Sequence, residues 1–267
     1  MLRHVTSPGG VRIACEASGE GRPVVLVHGA GSARWSFDLL RPHLERSHTV
    51  VAIDRRGRGD SSDGDGYELE REFEDVAAVV RDAGDGAALV GHSYGGLVAA
   101  GAARRLDGLE RLVLYEPPMG GVLATRETID RWERLVESGE SDRMVREFLR
   151  DIGGYEDAEI DALAATPMWE ARKRVAPSVP RELRAELAHR LEPETLAGVD
   201  AQALMLVGSE SPPWAIRSTE AYADALPRVE THVLEGHGHG ANVTAPEVVA
   251  AEIERFLLGE REVSSRT

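Results

Sequence analysis

The sequence predicts an α/β fold, a mostly parallel sheet flanked by helices, with an inserted helical cap. Three observations carry that expectation. Short apolar runs without polar alternation, such as Val24-Val25-Leu26-Val27 and Val50-Val51-Ala52-Ile53, recur as expected for strands covered on both faces. Stretches with helical spacing of apolar residues separate these runs in strict alternation up to about residue 118. Between 119 and 197 helical spacing continues with no convincing strand, and the strand pattern then resumes. The expected division is a core of 1–118 and 198–267 with a cap of 119–197 lying above the carboxyl edge of the sheet.

In chain order, residues 2–6 and 11–17 read as a hairpin turning through Ser7-Pro8-Gly9-Gly10, where proline fixes φ and glycine permits a positive one. After the strand at 24–27, Trp35, Leu39, Leu40 and Leu44 suggest a helix, and 49–54 suggests the next buried strand. From Glu68 to Arg81, the positions Phe73, Val76, Ala77 and Val80 follow helical spacing and leave the acids on a solvated face. Further strands are expected at 87–90 and 109–116. Within the cap, Trp132, Leu135 and Val136, then Met144, Val145, Phe148 and Leu149, then Leu183, Leu187 and Leu191 mark amphipathic helices punctuated by prolines. Strands at 203–208 and 229–234 then flank a helix at 214–226, a last helix runs from Pro246 to Leu258, and 259–267 reads as a frayed polar tail.

At 267 residues the chain can bury a large core without cross-links. Its single cysteine, Cys15, cannot form an intramolecular bridge and reads as a small buried thiol. A net charge of −15 argues against a nucleic-acid partner, because phosphate binding needs clustered cations. The opening Met1-Leu2-Arg3-His4-Val5 lacks the apolar core of a signal peptide, and no run approaches the ~18 apolar residues of a membrane span. The expectation is a cytoplasmic protein with neither membrane nor nucleic-acid partner, acting on a small molecule.

Chemistry is concentrated at Val90-Gly91-His92-Ser93-Tyr94-Gly95-Gly96, between a short apolar strand and the small-residue run 97–103. A strand that turns sharply into a helix at a serine strains that serine's backbone, and Gly91 and Gly95 stand where side chains would collide. An alcohol is a poor nucleophile at neutral pH, so Ser93 needs a base and the base needs an orienting acid.

Together with His28-Gly29-Ala30-Gly31, the run Asp54-Arg55-Arg56-Gly57-Arg58-Gly59-Asp60-Ser61, and Gly238-His239 seven residues before Pro246, this elbow resembles the α/β-hydrolase fold family, from near the start to about residue 258. The resemblance implies Ser93 as nucleophile and His239 as base, with the neighbouring His237 as its rival. It also implies backbone N–H groups of Ala30 and Tyr94 as an oxyanion hole. His28 and His92 read as structural parts of the turn motifs, and Asp54 and Asp60 as groups ordering a loop. The acid departs from the commonest pattern: where family members often carry aspartate this chain has Ser211. Glu116, in Tyr115-Glu116-Pro117-Pro118, stands where other members place the acid, and Glu210 is the alternative.

These assignments imply a hydrolase that cleaves an ester, thioester or lactone through a serine acyl-enzyme, with no cofactor and no metal. Two alternatives remain open. The same residues could serve carbon–carbon bond hydrolysis or cofactor-free perhydrolysis, as in non-haem haloperoxidase-like proteins, or the pocket could bind a ligand without turnover.

Overall fold

The computed structural model describes residues 1–190 and 192–259. Eight strands form one sheet: β1 (Leu2–Thr6), β2 (Arg12–Ser18), β3 (Arg22–Val27), β4 (His48–Ile53), β5 (Ala88–His92), β6 (Arg111–Tyr115), β7 (Gln202–Gly208) and β8 (Val229–Leu234). Their spatial order is β1-β2-β4-β3-β5-β6-β7-β8; β1 and β2 run antiparallel to their neighbours, and from β4 onward every pairing is parallel. The opening hairpin therefore extends one edge of a parallel sheet.

Twelve helices complete the described chain. Those outside the insertion are α1 (Arg41–Leu44), α2 (Leu69–Ala83), α3 (Tyr94–Ala103), α10 (Pro213–Ala225), α11 (Ala241–Thr244) and α12 (Pro246–Leu258). Between β6 and β7 lie α4 (Arg126–Glu137), α5 (Ser141–Asp151), α6 (Asp157–Ala164), α7 (Met168–Val175), α8 (Val179–Ala188) and α9 (Pro193–Leu196).

Alternation along the strands builds a layer on each side of the sheet. Val25 and Val27 of β3 pack with Phe73, Val76, Leu97 and Tyr222, whereas Val24 and Leu26 pack with Leu40, Leu44, Val249 and Phe256. The insertion has its own core, centred on the fully buried Trp132 and including Met144, Phe148 and Leu183; it docks against Trp214 and Ala215 of α10.

Two departures from the sequence reading have local causes. The helix expected around residues 35–44 is broken into a 3-10 turn, Arg34–Phe37, and the single turn α1. Pro42 has no N–H to continue a helix begun at Arg34, but it fits the first turn of a new one. Helix α6 left no periodic signal because Ile160 is its one buried residue. Leu191 and residues 260–267 of the expected tail lie outside the described residues. Among the described residues no helix is long and apolar enough to cross a membrane.

Candidate active site

Ser93 sits at the junction of β5 and α3 with φ 56° and ψ −129°. Glu116, just past β6, has φ 49°, and these two are the non-glycine residues in the left-handed region among the described residues. Strain of this kind costs on the order of 1–3 kcal/mol and persists where surrounding structure over-determines it. Here the surroundings are backbone bonds: the Ser93 N–H donates to the Tyr115 carbonyl at 2.8 Å, and the Glu116 N–H to that of Leu206 at 3.1 Å. A Cβ on Gly95 would lie 2.2 Å from the Val27 carbonyl oxygen, and one on Gly91 would lie 2.4 Å from that of Gly95. The elbow packs so closely onto β3 that only glycine fits.

His239 arrives on the loop between β8 and α11. Its Nε2 lies 3.0 Å from Ser93 Oγ and its Nδ1 lies 2.5 Å from Glu116 Oε2, with all three residues buried. The other Glu116 oxygen accepts from the Gly208 N–H at 2.7 Å and from the Ser211 hydroxyl. Ser211 therefore supports the carboxylate of Glu116. Glu210 is exposed, and its backbone N–H donates to the carbonyl of the half-buried His237.

Two side chains not anticipated as supports hold the His239 loop. His92 Nε2–H donates to the His239 carbonyl at 2.9 Å, and the Tyr115 hydroxyl donates to the Gly238 carbonyl at 2.5 Å. The His92 ring lies 4.8 Å from that of His239, and Trp214 meets His239 edge-on at 5.1 Å. Burial, reinforced by the neighbouring His239, pushes the His92 pKa down to about 3. A neutral His92 adds no positive charge beside the His239 ring.

The His28 imidazole is buried and held well below the usual histidine range, first by desolvation and then by the Arg55 charge. Its Nδ1–H donates to the Gly29 carbonyl at 2.8 Å, and its Nε2 accepts from the Arg55 N–H at 3.1 Å. That pair of bonds shapes the loop carrying Ala30. Tyr94 opens α3, so its N–H is among those with no carbonyl partner within the helix. Asp54 orders the following loop, accepting from the N–H groups of Arg34 and Asp60, both at 2.9 Å.

A buried ion cluster joins this loop to the insertion. Arg55 and Arg58 both donate to Glu182 of α8, and they approach Glu72 of α2 at 2.9 and 3.4 Å. The Glu182 carboxylate also lies 3.4 Å from the Gly31 N–H, and Arg55 donates to the Gly29 carbonyl at 3.0 Å. The two arginines hold Glu182 below the usual carboxylate range against the opposing effect of burial. No sequence motif announces this cluster, because Glu182 meets partners more than a hundred residues away.

Above Ser93 is a cavity of about 60 Å³, walled by Gly29, Ala30, Ser93 and His239 from the sheet side and by Phe148, Ile152, Tyr155 and Arg172 from the insertion. Among the described residues no three His, Cys, Asp or Glu side chains are grouped to hold a metal ion.

The fold and the strained serine turn together define a class, and sequence comparison agrees: residues 24–252 match the model of the Alpha/beta hydrolase family. The chain belongs to that family. An alpha/beta hydrolase from Sphaerobacter thermophilus superposes with a TM-score of 0.83 at 31% identity, covering 95% of this chain and 99% of that one. The chain is 27% identical to the 2-(acetamidomethylene)succinate hydrolase of Mesorhizobium japonicum, over 93% of this chain and 92% of that protein. It is 28% identical to the 2-hydroxymuconate semialdehyde hydrolase of Pseudomonas sp. CF600, over 93% and 91%.

Proposed function

We propose that the protein is a serine hydrolase that cleaves an ester, thioester or lactone bond of a small molecule. Ser93 is the nucleophile, His239 the base and Glu116 the acid; the N–H groups of Ala30 and Tyr94 form the oxyanion hole. The observation that carries this reading is the continuous hydrogen-bonded chain from Ser93 Oγ through both nitrogens of His239 to Glu116. Residues 119–197 act as a cap over a core of 1–118 and 198–267.

In the reaction, Ser93 Oγ attacks the scissile carbonyl carbon while His239 Nε2 takes the hydroxyl proton. Glu116 accepts from Nδ1–H and stabilises the imidazolium that forms. Negative charge develops on the carbonyl oxygen, where fixed backbone donors lower the barrier more than mobile water can. Collapse of the tetrahedral intermediate breaks the bond to the leaving group, which receives the proton from His239. Water then adds to the acyl-enzyme, giving its proton to His239, and the second collapse returns that proton to Ser93 and frees the acid.

A second reading keeps the same residues but cleaves a carbon–carbon bond beside a ketone; the near full-length likeness to a semialdehyde hydrolase favours it. A fluorophosphonate probe tests what both share. Labelling should map to Ser93 and disappear, together with hydrolysis of p-nitrophenyl acetate, in Ser93→Ala. A folded wild-type protein with an unreactive Ser93 would sink the proposal in favour of a ligand-binding role.

A further inference from the structure

Arg172 of α7 is 8% exposed and lines the cavity that holds Ser93 and His239. Its guanidinium carbon lies 5.1 Å from the centre of the Trp35 ring, which supports one face of the cation. The other buried arginines all reach carboxylates: Arg41 reaches Glu16 and Glu45, Arg56 reaches Asp75, and Arg55 and Arg58 share Glu72 and Glu182. Arg172 has no carboxylate partner among the described residues, and it shares the cavity wall with Tyr155. A guanidinium does not escape burial by losing its proton, so an unpaired one is strongly unfavourable unless something else supplies the counter-charge. Ser36 and Asn242 line the same cavity.

We propose that Arg172 anchors a carboxylate carried by the substrate, so that the preferred substrates are short acyl compounds bearing that carboxylate a few carbons from the scissile carbonyl. A planar guanidinium matches a carboxylate in shape, and a single positive charge balances a single negative one; a phosphate dianion would keep an excess charge in a cavity of about 60 Å³. The proposal rests on the serine hydrolase reading above, which the fluorophosphonate experiment tests separately.

Methyl hydrogen succinate and methyl hydrogen glutarate should be compared with methyl butanoate and methyl pentanoate, neutral analogues in which the distal carboxylate is replaced by methyl. The wild-type ratio of kcat/KM, anionic over neutral, is expected to reach at least about tenfold for one chain length. It should fall roughly 30-fold or more in Arg172→Met and recover in part in Arg172→Lys. A wild-type ratio at or below one for both lengths, or a ratio unchanged by Arg172→Met, overturns the proposal. If no methyl ester is turned over, the contrast is read as protection of wild-type Ser93 from the fluorophosphonate by glutarate and not by its dimethyl ester; absence of that difference also overturns it. Labelled Ser93 with no anion preference defeats this inference alone, whereas unlabelled Ser93 defeats the reading beneath it.

Discussion

The carboxyl edge of the sheet and the helical insertion above it are held in place by different physics. At the edge, Ser93 and Glu116 are fixed by backbone bonds from adjacent strands and by glycines too closely packed to be replaced. The insertion has its own apolar core, docked on Trp214 and Ala215, and side-chain charges tie it to the loop after β4, with Glu182 between Arg55 and Arg58. Apart from those glycines, bonds between backbone groups do not depend on side-chain identity, whereas side-chain attachment can be rewritten by substitution. The proposed chemistry is thus lodged where the geometry is hardest to change, and the proposed substrate contact, Arg172, where it is easiest.

That contrast breaks most visibly at the proposed nucleophile. Under the proposed function Ser93→Ala should lower kcat by roughly 10⁶-fold, as loss of the nucleophile does in triad hydrolases, while circular dichroism shows an unaltered fold. Next, Glu116→Gln should cost roughly 10⁴-fold in kcat by failing to hold the His239 tautomer, and Glu210→Gln should leave kcat within about twofold, since that side chain is exposed. The reverse order of these two effects would move the acid off the strand end and undo the contrast.

In the insertion the expected effects are on stability. Glu182→Gln leaves Arg55 and Arg58 with too little counter-charge in a buried site and should destabilise the protein by about 3–5 kcal/mol in urea unfolding. A response of comparable size over its full range, but spread over pH, comes from His92 at the end of β5. With its folded pKa near 3 against an unfolded value near 6.5, the unfolded chain takes up a proton that the folded protein refuses, so stability is lost as pH falls from about 6.5 towards 3. His92→Gln should flatten that slope by about 1.4 kcal/mol per pH unit, measured as urea midpoints at successive pH values. Smallest of all, Arg150→Ala on the outer face, where Arg150 pairs with Asp157, should leave the midpoint unmoved.

What the sequence made legible follows the same line. Apolar runs, their alternation with helical spacing and the turn Ser7-Pro8-Gly9-Gly10 are local signals, and together they match all eight strands to within a few residues. The elbow and the Gly238-His239 loop are short motifs whose order along the chain is informative, and the residues they named lie within hydrogen-bond reach of one another. Ser211 was informative by its identity: a serine where an acid is common turned attention to Glu116, to which its hydroxyl now donates. Arg172 and Glu182 stayed hidden, since each sits among charged residues on an amphipathic helix, where an arginine or glutamate reads as solvated surface. Only tertiary packing buries them, Arg172 of α7 against Trp35 and Glu182 of α8 against Arg55 and Arg58. Tyr155 was likewise invisible, because the turn between α5 and α6 that aims it at the cavity has no periodic pattern.

The tie between Glu182 and the Gly31 N–H constrains how α8 can move. Swinging α8 away as a hinged door would strand Arg55 and Arg58 beneath Tyr67 and Tyr94 without half of their counter-charge, and would unfasten the loop that presents Ala30. The insertion is thereby fastened to the loop that carries Ala30 at a buried point, and its Phe148 and Ile152 line the cavity above Ser93.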